Sequence, residues 1–208
     1  MPDRVERDFP LFPLPVVALP SEYVPLHIFE ERFKTMIGEC LEQDREFGIV
    51  WLSDDGLKEI GCTAQVAEVL ERALDGRMNI LVRGGNPFRL IERQEDLVYP
   101  AGTVELLEDG PAEVEPEVGD ESRERYADLL EEITEERPDA GALSALSSYE
   151  MAASVDIDPD LKQGLLELRS EEERLRMLAK LFKDGIARLK RARKIADRAR
   201  TNGKVSLQ

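Results

Sequence analysis

Reactive chemistry in this chain would have to come from one histidine, two cysteines and a large excess of carboxylates. His27 is the one imidazole in the chain, but a general base needs a nucleophile to activate and a third group to orient it, and no motif supplies either. Cys40 and Cys62 form no Cys-x-x-Cys pair, so with a single His no zinc-ligand set can be assembled. Also missing are a Gly-x-x-x-x-Gly-Lys-Ser/Thr phosphate loop, a Gly-x-Ser-x-Gly elbow, a His-Glu-x-x-His pair and a nucleotide-binding glycine triplet. Glu113, Glu115 and Glu117 fall in a Pro- and Gly-containing stretch, and Glu131, Glu132, Glu135 and Glu136 crowd one helix end. Both read as solvated acidic surface rather than a glycosidase pair or a metal cage. The expectation is a non-enzyme with no cofactor and no metal.

Charge is unevenly distributed. The net charge is −16, which repels phosphates and lowers the prior on nucleic acid as a partner. Residues 105–139 hold fifteen acids against Arg123, Arg125 and Arg137, whereas Arg188, Lys190, Arg191, Arg193, Lys194, Arg198 and Arg200 make the C-terminal end basic. Two readings stay open: cations offsetting the negative end of a long helix, or an arm that grips an acidic partner or nucleic acid. The apolar run 9–20 imitates a signal-peptide core, but it follows Asp3, Glu6 and Asp8 and is broken by Pro10, Pro13 and Pro15. No apolar run approaches the ~20 residues that span a bilayer. A cytoplasmic chain with reduced thiols and no membrane partner is expected.

The elements that must position these residues change period part-way along. Residues 9–19 alternate Pro with large apolar side chains and predict an edge strand. Residues 28–41 carry Phe29, Phe33, Met36, Ile37, Cys40 and Leu41 at helical spacing. Further strands are predicted at 47–52, 63–70, 78–82, 88–92 and 99–107, with a type I′ turn at Asp75-Gly76 and a turn at Gly84-Gly85-Asn86-Pro87. About six short strands suggest a small antiparallel barrel. Residues 109–120, rich in acid, Pro and Gly, read as a linker between a β-rich part (1–108) and a helical part (121–208). Helices are expected over 120–136 and 142–154. Another is capped by Asp158 before Pro159, and a long one opens on the capping-box spacing Ser170 to Glu173 and runs to about 200.

Three ordered blocks carry a family likeness. Leu11-Phe12-Pro13-Leu14 leads to Pro25-Leu26-His27-Ile28-Phe29-Glu30 and Arg32-Phe33. Ile60-Gly61-Cys62-Thr63-Ala64 precedes Ala67-Glu68-Val69, and Asp75-Gly76-Arg77-Met78-Asn79-Ile80-Leu81-Val82 leads to Phe88-Arg89-Leu90. Together they resemble the substrate-binding domain at the N-terminus of Lon-type ATP-dependent proteases, as a stand-alone member without the ATPase and peptidase domains. The resemblance implies an α+β fold: a six-stranded PUA-like pseudobarrel with one inserted helix, joined to a C-terminal α-helical bundle. It also implies a non-catalytic module that binds unfolded or exposed apolar protein segments, as an adaptor or regulator of proteolysis working with an ATP-dependent protease. RNA binding by a PUA-like barrel is the alternative. Where the family often has a Gly-x-x-Arg-Phe turn, this chain departs from it and reads Arg83-Gly84-Gly85-Asn86-Pro87-Phe88-Arg89. Concave surfaces arise at junctions, so the partner site is expected between the β-rich and helical parts. Its candidates are Tyr23, Pro25 and His27 from the loop before the first helix, with Phe88 and Arg89 from the barrel.

Overall fold

The structure is a computed structural model that describes residues 5–94, 97–110 and 113–202. Seven strands come first: β1 (Val5–Leu14), β2 (Tyr23–Ile28), β3 (Phe47–Ser53), β4 (Gly56–Leu57), β5 (Ile60–Arg72), β6 (Met78–Gln94) and β7 (Ala101–Leu106), with helix α1 (Glu31–Gln43) between β2 and β3. Helices follow: α2 (Pro116–Thr134), α3 (Ala140–Ser144), α4 (Ser148–Ala153), α5 (Pro159–Glu167) and α6 (Glu171–Asn202). Among the described residues no strand lies beyond β7. The chain divides into two compact units, one of Met1–Pro111 with Tyr149–Ser170, the other of Ala112–Ser148 with Glu171–Gln208.

In the first unit the strand path β1–β7–β6–β5–β3 returns on itself, because β1 pairs with β7 on one side and β3 on the other. β1 is therefore not the expected edge strand, and its pairing with β3 is parallel, not antiparallel. Its prolines are tolerated because neighbouring amides make the bonds: Leu11 N–H donates to the Pro100 carbonyl at 2.8 Å. A register shift between Glu6 and Phe9, with Asp8 at φ 52, marks a bulge.

β6 departs most from expectation. It runs unbroken through residues 84–87, where a turn was predicted. Glycine serves there for close approach rather than for bending: a Cβ on Gly84 would overlap the Leu19 carbonyl, and one on Gly85 the Thr63 hydroxyl. The Asp75-Gly76 hairpin forms, but only Gly76 has positive φ (82°), and Ala73 N–H donates to the Arg77 carbonyl. That is a longer loop closed by a left-handed glycine, not a type I′ turn.

The core inside the ring joins Phe9, Leu11, Val50, Phe88 and Val104. Phe88 is fully buried, edge-on to Phe9 at 5.9 Å. Its ring fills space that a Cβ on Gly48 or Gly61 would occupy, 2.6 Å from Phe88 Cζ in each case. α1 begins later than predicted, at Glu31, and buries Phe33, Met36, Ile37 and Cys40; Phe29 stays outside the helix. Helix α5 opens as the sequence predicts, with Asp158 accepting from Asp160 N–H at 3.0 Å and Pro159 in the first turn. It belongs with the strands rather than with α2 and α6. Gln163 Nε2 donates to the Ile60 carbonyl at 3.1 Å, and Lys162 pairs with Glu22.

In the second unit α2 and α6 run parallel. Arg176 meets Glu115, Tyr126 packs on Phe182 at 5.5 Å, and Lys190 and Arg193 both reach Glu132. α2 starts inside the predicted linker because Pro116 fits the first turn of a helix. Pro111, also assigned to that linker, lies outside the described residues. The helix expected over 142–154 is two short ones, α3 and α4. Arg174 is buried; its Nε donates to Ser148 Oγ at 2.9 Å and its Nη2 pairs with Glu171 at 2.8 Å.

Candidate functional site

The segment before α1 is a strand, not a loop, so its side chains alternate. Tyr23, Pro25 and His27 all point to solvent on β2, facing Arg83, Leu81 and Asn79 of β6. β5 completes a three-stranded face, with Gln65, Glu68 and Glu71 opposite the same three β6 residues. His27, Asn79 and Glu71 thus lie side by side and form a hydrogen-bonded row. Asn79 Nδ2 donates to Glu71 Oε2 at 2.9 Å, which leaves Oδ1 to accept from His27 Nδ1–H at 2.6 Å. His27 Nε2 is then the ring nitrogen left for an outside group. Phe29 stacks on the imidazole at 5.8 Å, and the row borders a depression of about 210 Å³. No nucleophile joins the row, so it can orient an imidazole and offer a hydrogen bond. Tyr23 is 57% exposed, an aromatic body available for contact.

The other two predicted residues lie elsewhere. Phe88 is a core residue of the strand ring and presents nothing to a partner; its side chain is fully buried, while the next residue, Arg89, is exposed. Arg89 is exposed and pairs with Glu105 across β7 at 3.2 Å. It stands six residues along β6 from Arg83, the partner of Tyr23, or about 20 Å of strand.

A larger concavity, of about 580 Å³, opens elsewhere on the first unit. Pro13 of β1, Leu52 of β3, Leu57 of β4 and the connection Leu97-Val98-Tyr99 line it, together with Arg32 and Arg93. Leu52 is 49% and Val98 72% exposed, an unusual concentration of free aliphatic surface in so acidic a chain. Tyr99 donates to Glu39 at 2.5 Å, and burial together with that carboxylate pushes its phenol up to about 12. Sequence reading misses this groove because its residues come from six separate segments; an apolar Leu-Val pair inside a strand connection was the only local signal.

The family model of the ATP-dependent protease La (LON) substrate-binding domain matches residues 8–184. The chain belongs to this family. A LON peptidase N-terminal domain and RING finger protein of Schizosaccharomyces pombe is 28% identical over 87% of the chain, and the Lon protease of Paraburkholderia phytofirmans is 28% identical over 77%. The chain spans 42% and 22% of those two proteins. Among solved structures, a Lon N-terminal domain protein from Xanthomonas campestris superposes with a TM-score of 0.63 at 23% identity, covering 82% of this chain and 95% of that one. The N-terminal domain of Mycobacterium avium complex Lon protease gives 0.61 at 20% identity, covering 87% and 99%. These two share the fold.

The match is thus to the substrate-binding part of Lon. Among the described residues no group of three His, Cys, Asp or Glu is placed to hold a metal ion. Burial pushes the Cys40 thiol up to about 11 and the Cys62 thiol higher still, so neither is a ready thiolate. Among the described residues no helix is long and apolar enough to cross a membrane.

Proposed function

We infer that this Lon-family chain is a non-catalytic module that captures exposed apolar segments of other proteins, as an adaptor or regulator working with an ATP-dependent protease. The groove beneath Leu52 and Val98 carries the reading, since aliphatic side chains left open to water are stabilised when a partner's apolar surface covers them. The outward face of Tyr23, Pro25 and His27, with Arg89 apart from it, is the second contact surface proposed. The strand ring with α1 inserted supports a PUA-like pseudobarrel. Two free, buried cysteines support a reducing, cytoplasmic setting. RNA binding on the strands is the weaker reading: Arg77, Arg83 and Arg89 each have a partner within the chain, at Asp75, Ser21 and Glu105.

The test is a titration with a permanently unfolded model protein, with each variant first shown to melt as the parent does. Leu52→Asp and Val98→Asp are expected to weaken binding about tenfold or more, by placing a charge where apolar contact forms. Tyr23→Ala and Arg89→Ala report on the second surface. If all four variants bind as the parent does, neither surface is the site. Peptide cleavage by the purified chain would defeat the non-catalytic reading.

A further inference from the structure

Strand β2 leaves one side of its backbone unused. It pairs with β6 alone, in unbroken register from Tyr23–Arg83 to Ile28–Met78. Gly84 N–H donates to the Glu22 carbonyl at 2.8 Å, which fixes the phase of this ladder. Bonded and non-bonded pairs alternate along an antiparallel pair, so Val24, Leu26 and Ile28 bond β6, and the backbone groups of Tyr23, Pro25 and His27 face outward. Pro25, which has no N–H, sits at an outward position, as this phase requires. Among the described residues no hydrogen bond reaches these outward groups, and Tyr23, Pro25 and His27 are all exposed. The bond to Asn79 draws the His27 ring toward β6 and leaves the outer side of the strand clear.

The other long open side of the described sheet is less regular. β5 pairs with β3 only over Cys62, Thr63 and Ala64, so its far side is open beyond Ala64. Register shifts between Val66 and Glu68 and between Val69 and Glu71 break the even spacing that a further strand needs there. β2 has no such shift. Its side chains alternate between an outer face of Tyr23, Pro25 and His27 and an inner one where Val24 and Leu26 are half-buried. A strand laid along this edge sets every second side chain beside Val24 and Leu26, where an aliphatic residue covers the surface that β6 leaves open.

We propose that β2 captures an extended apolar segment of another protein as an added β-strand, paired through the backbones of Tyr23, Pro25 and His27. This rests on the reading of the chain as a capture module and names how its second surface holds a segment. Backbone pairing is indifferent to side-chain identity, which suits a module that meets many unfolded sequences, while Val24 and Leu26 select aliphatic residues at alternate positions. Pro25 withholds one donor and keeps the added strand weak enough to leave. Two β2 strands paired about a two-fold axis at Pro25 would oppose one proline to the other and lose both central donors. A segment free of proline therefore fits the edge better than a second copy does.

The probe is a fluorescein-labelled peptide of alternating valine and threonine, titrated against the full chain by anisotropy beside two twins, one N-methylated at the threonines and one at the valines. With valines beside Val24 and Leu26 the threonine amides face β2, so the first twin is expected to bind at least about tenfold more weakly than the second. In the chain, Pro25→Thr restores the missing donor and is expected to tighten binding about threefold to tenfold, whereas a surface acting through the Pro25 side chain would weaken. His27→Pro and His27→Thr remove the same imidazole, but only the proline also removes the outward N–H. The proline variant is therefore expected to bind about threefold to tenfold more weakly than the threonine variant, each first shown to melt as the parent does. No binding of the unmethylated peptide, equal binding of the two twins, or no gain in Pro25→Thr would overturn the proposal. So would self-association of the parent chain that His27→Pro abolishes, which assigns the edge to a second copy. Leu52→Asp and Val98→Asp keep the two readings apart: if they alone weaken binding of an unfolded protein, the capture function stands and β2 is removed as its second surface.

Discussion

The side-chain amide of Gln163 donates to the backbone carbonyl of Ile60 at 3.1 Å, tying helix α5 to the first residue of strand β5 across most of a domain's length of sequence. Gln163 is 4% exposed and the bond it makes is part-buried. Gln163→Ala should therefore destabilise the chain by about 1–3 kcal/mol, through the lost hydrogen bond and the buried side chain removed with it. Denaturant unfolding measures it. A change within about 0.5 kcal/mol would show that the bond does not hold α5 in place.

Phe88 gives the sharpest contrast between a core and a contact residue. Its ring fills the centre of the strand ring against Phe9 and the backbones of Gly48 and Gly61. Phe88→Ala is expected to cost about 3–5 kcal/mol through lost burial and the cavity left behind. A variant that unfolds at the parent's denaturant midpoint but binds partner poorly would place Phe88 on the surface instead.

Both thiols should be silent in the folded chain. Burial comes first among the causes that raise Cys40 to about 11 and Cys62 further, so at pH 8 a disulfide reagent should label neither within minutes, and both once the chain is unfolded. The sign for stability follows. A thiol whose folded value exceeds its ordinary 9.0 favours the folded state fully below pH 9, and that contribution is lost as pH rises toward the folded value. Rapid native labelling at pH 8 would contradict the burial of both.

Glu172 titrates in the opposite sense. The Glu115 backbone amide donates to it at 3.1 Å and Arg176 pairs with it at 2.7 Å, and these hold its carboxyl below the usual 4.5. A lowered folded value stabilises above pH 4.5 and ceases to do so as pH falls through it. Parent and Glu172→Gln should thus differ in melting temperature at pH 7 and converge near pH 3. A gap that widens on acidification would mean that Glu172 is not held as an anion.

The sequence by itself determined the inserted helix α1, the change from strands to helices near residue 107, the Asp158-Pro159 helix start and the family, because each depends on local periodicity, capping chemistry or a contiguous motif. It also placed Tyr23, Pro25 and His27 in one segment, though not on a strand. Tertiary structure decided the rest. Gly84 and Gly85 read as a turn in sequence, yet they lie inside β6 because the Leu19 carbonyl and Thr63 hydroxyl approach too closely for any Cβ. Phe88 and Arg89 read as one contact pair, but strand alternation sends one into the core and the other to solvent. The six segments that line the groove under Val98 share no local pattern, since strand pairing over long separations alone brings them together.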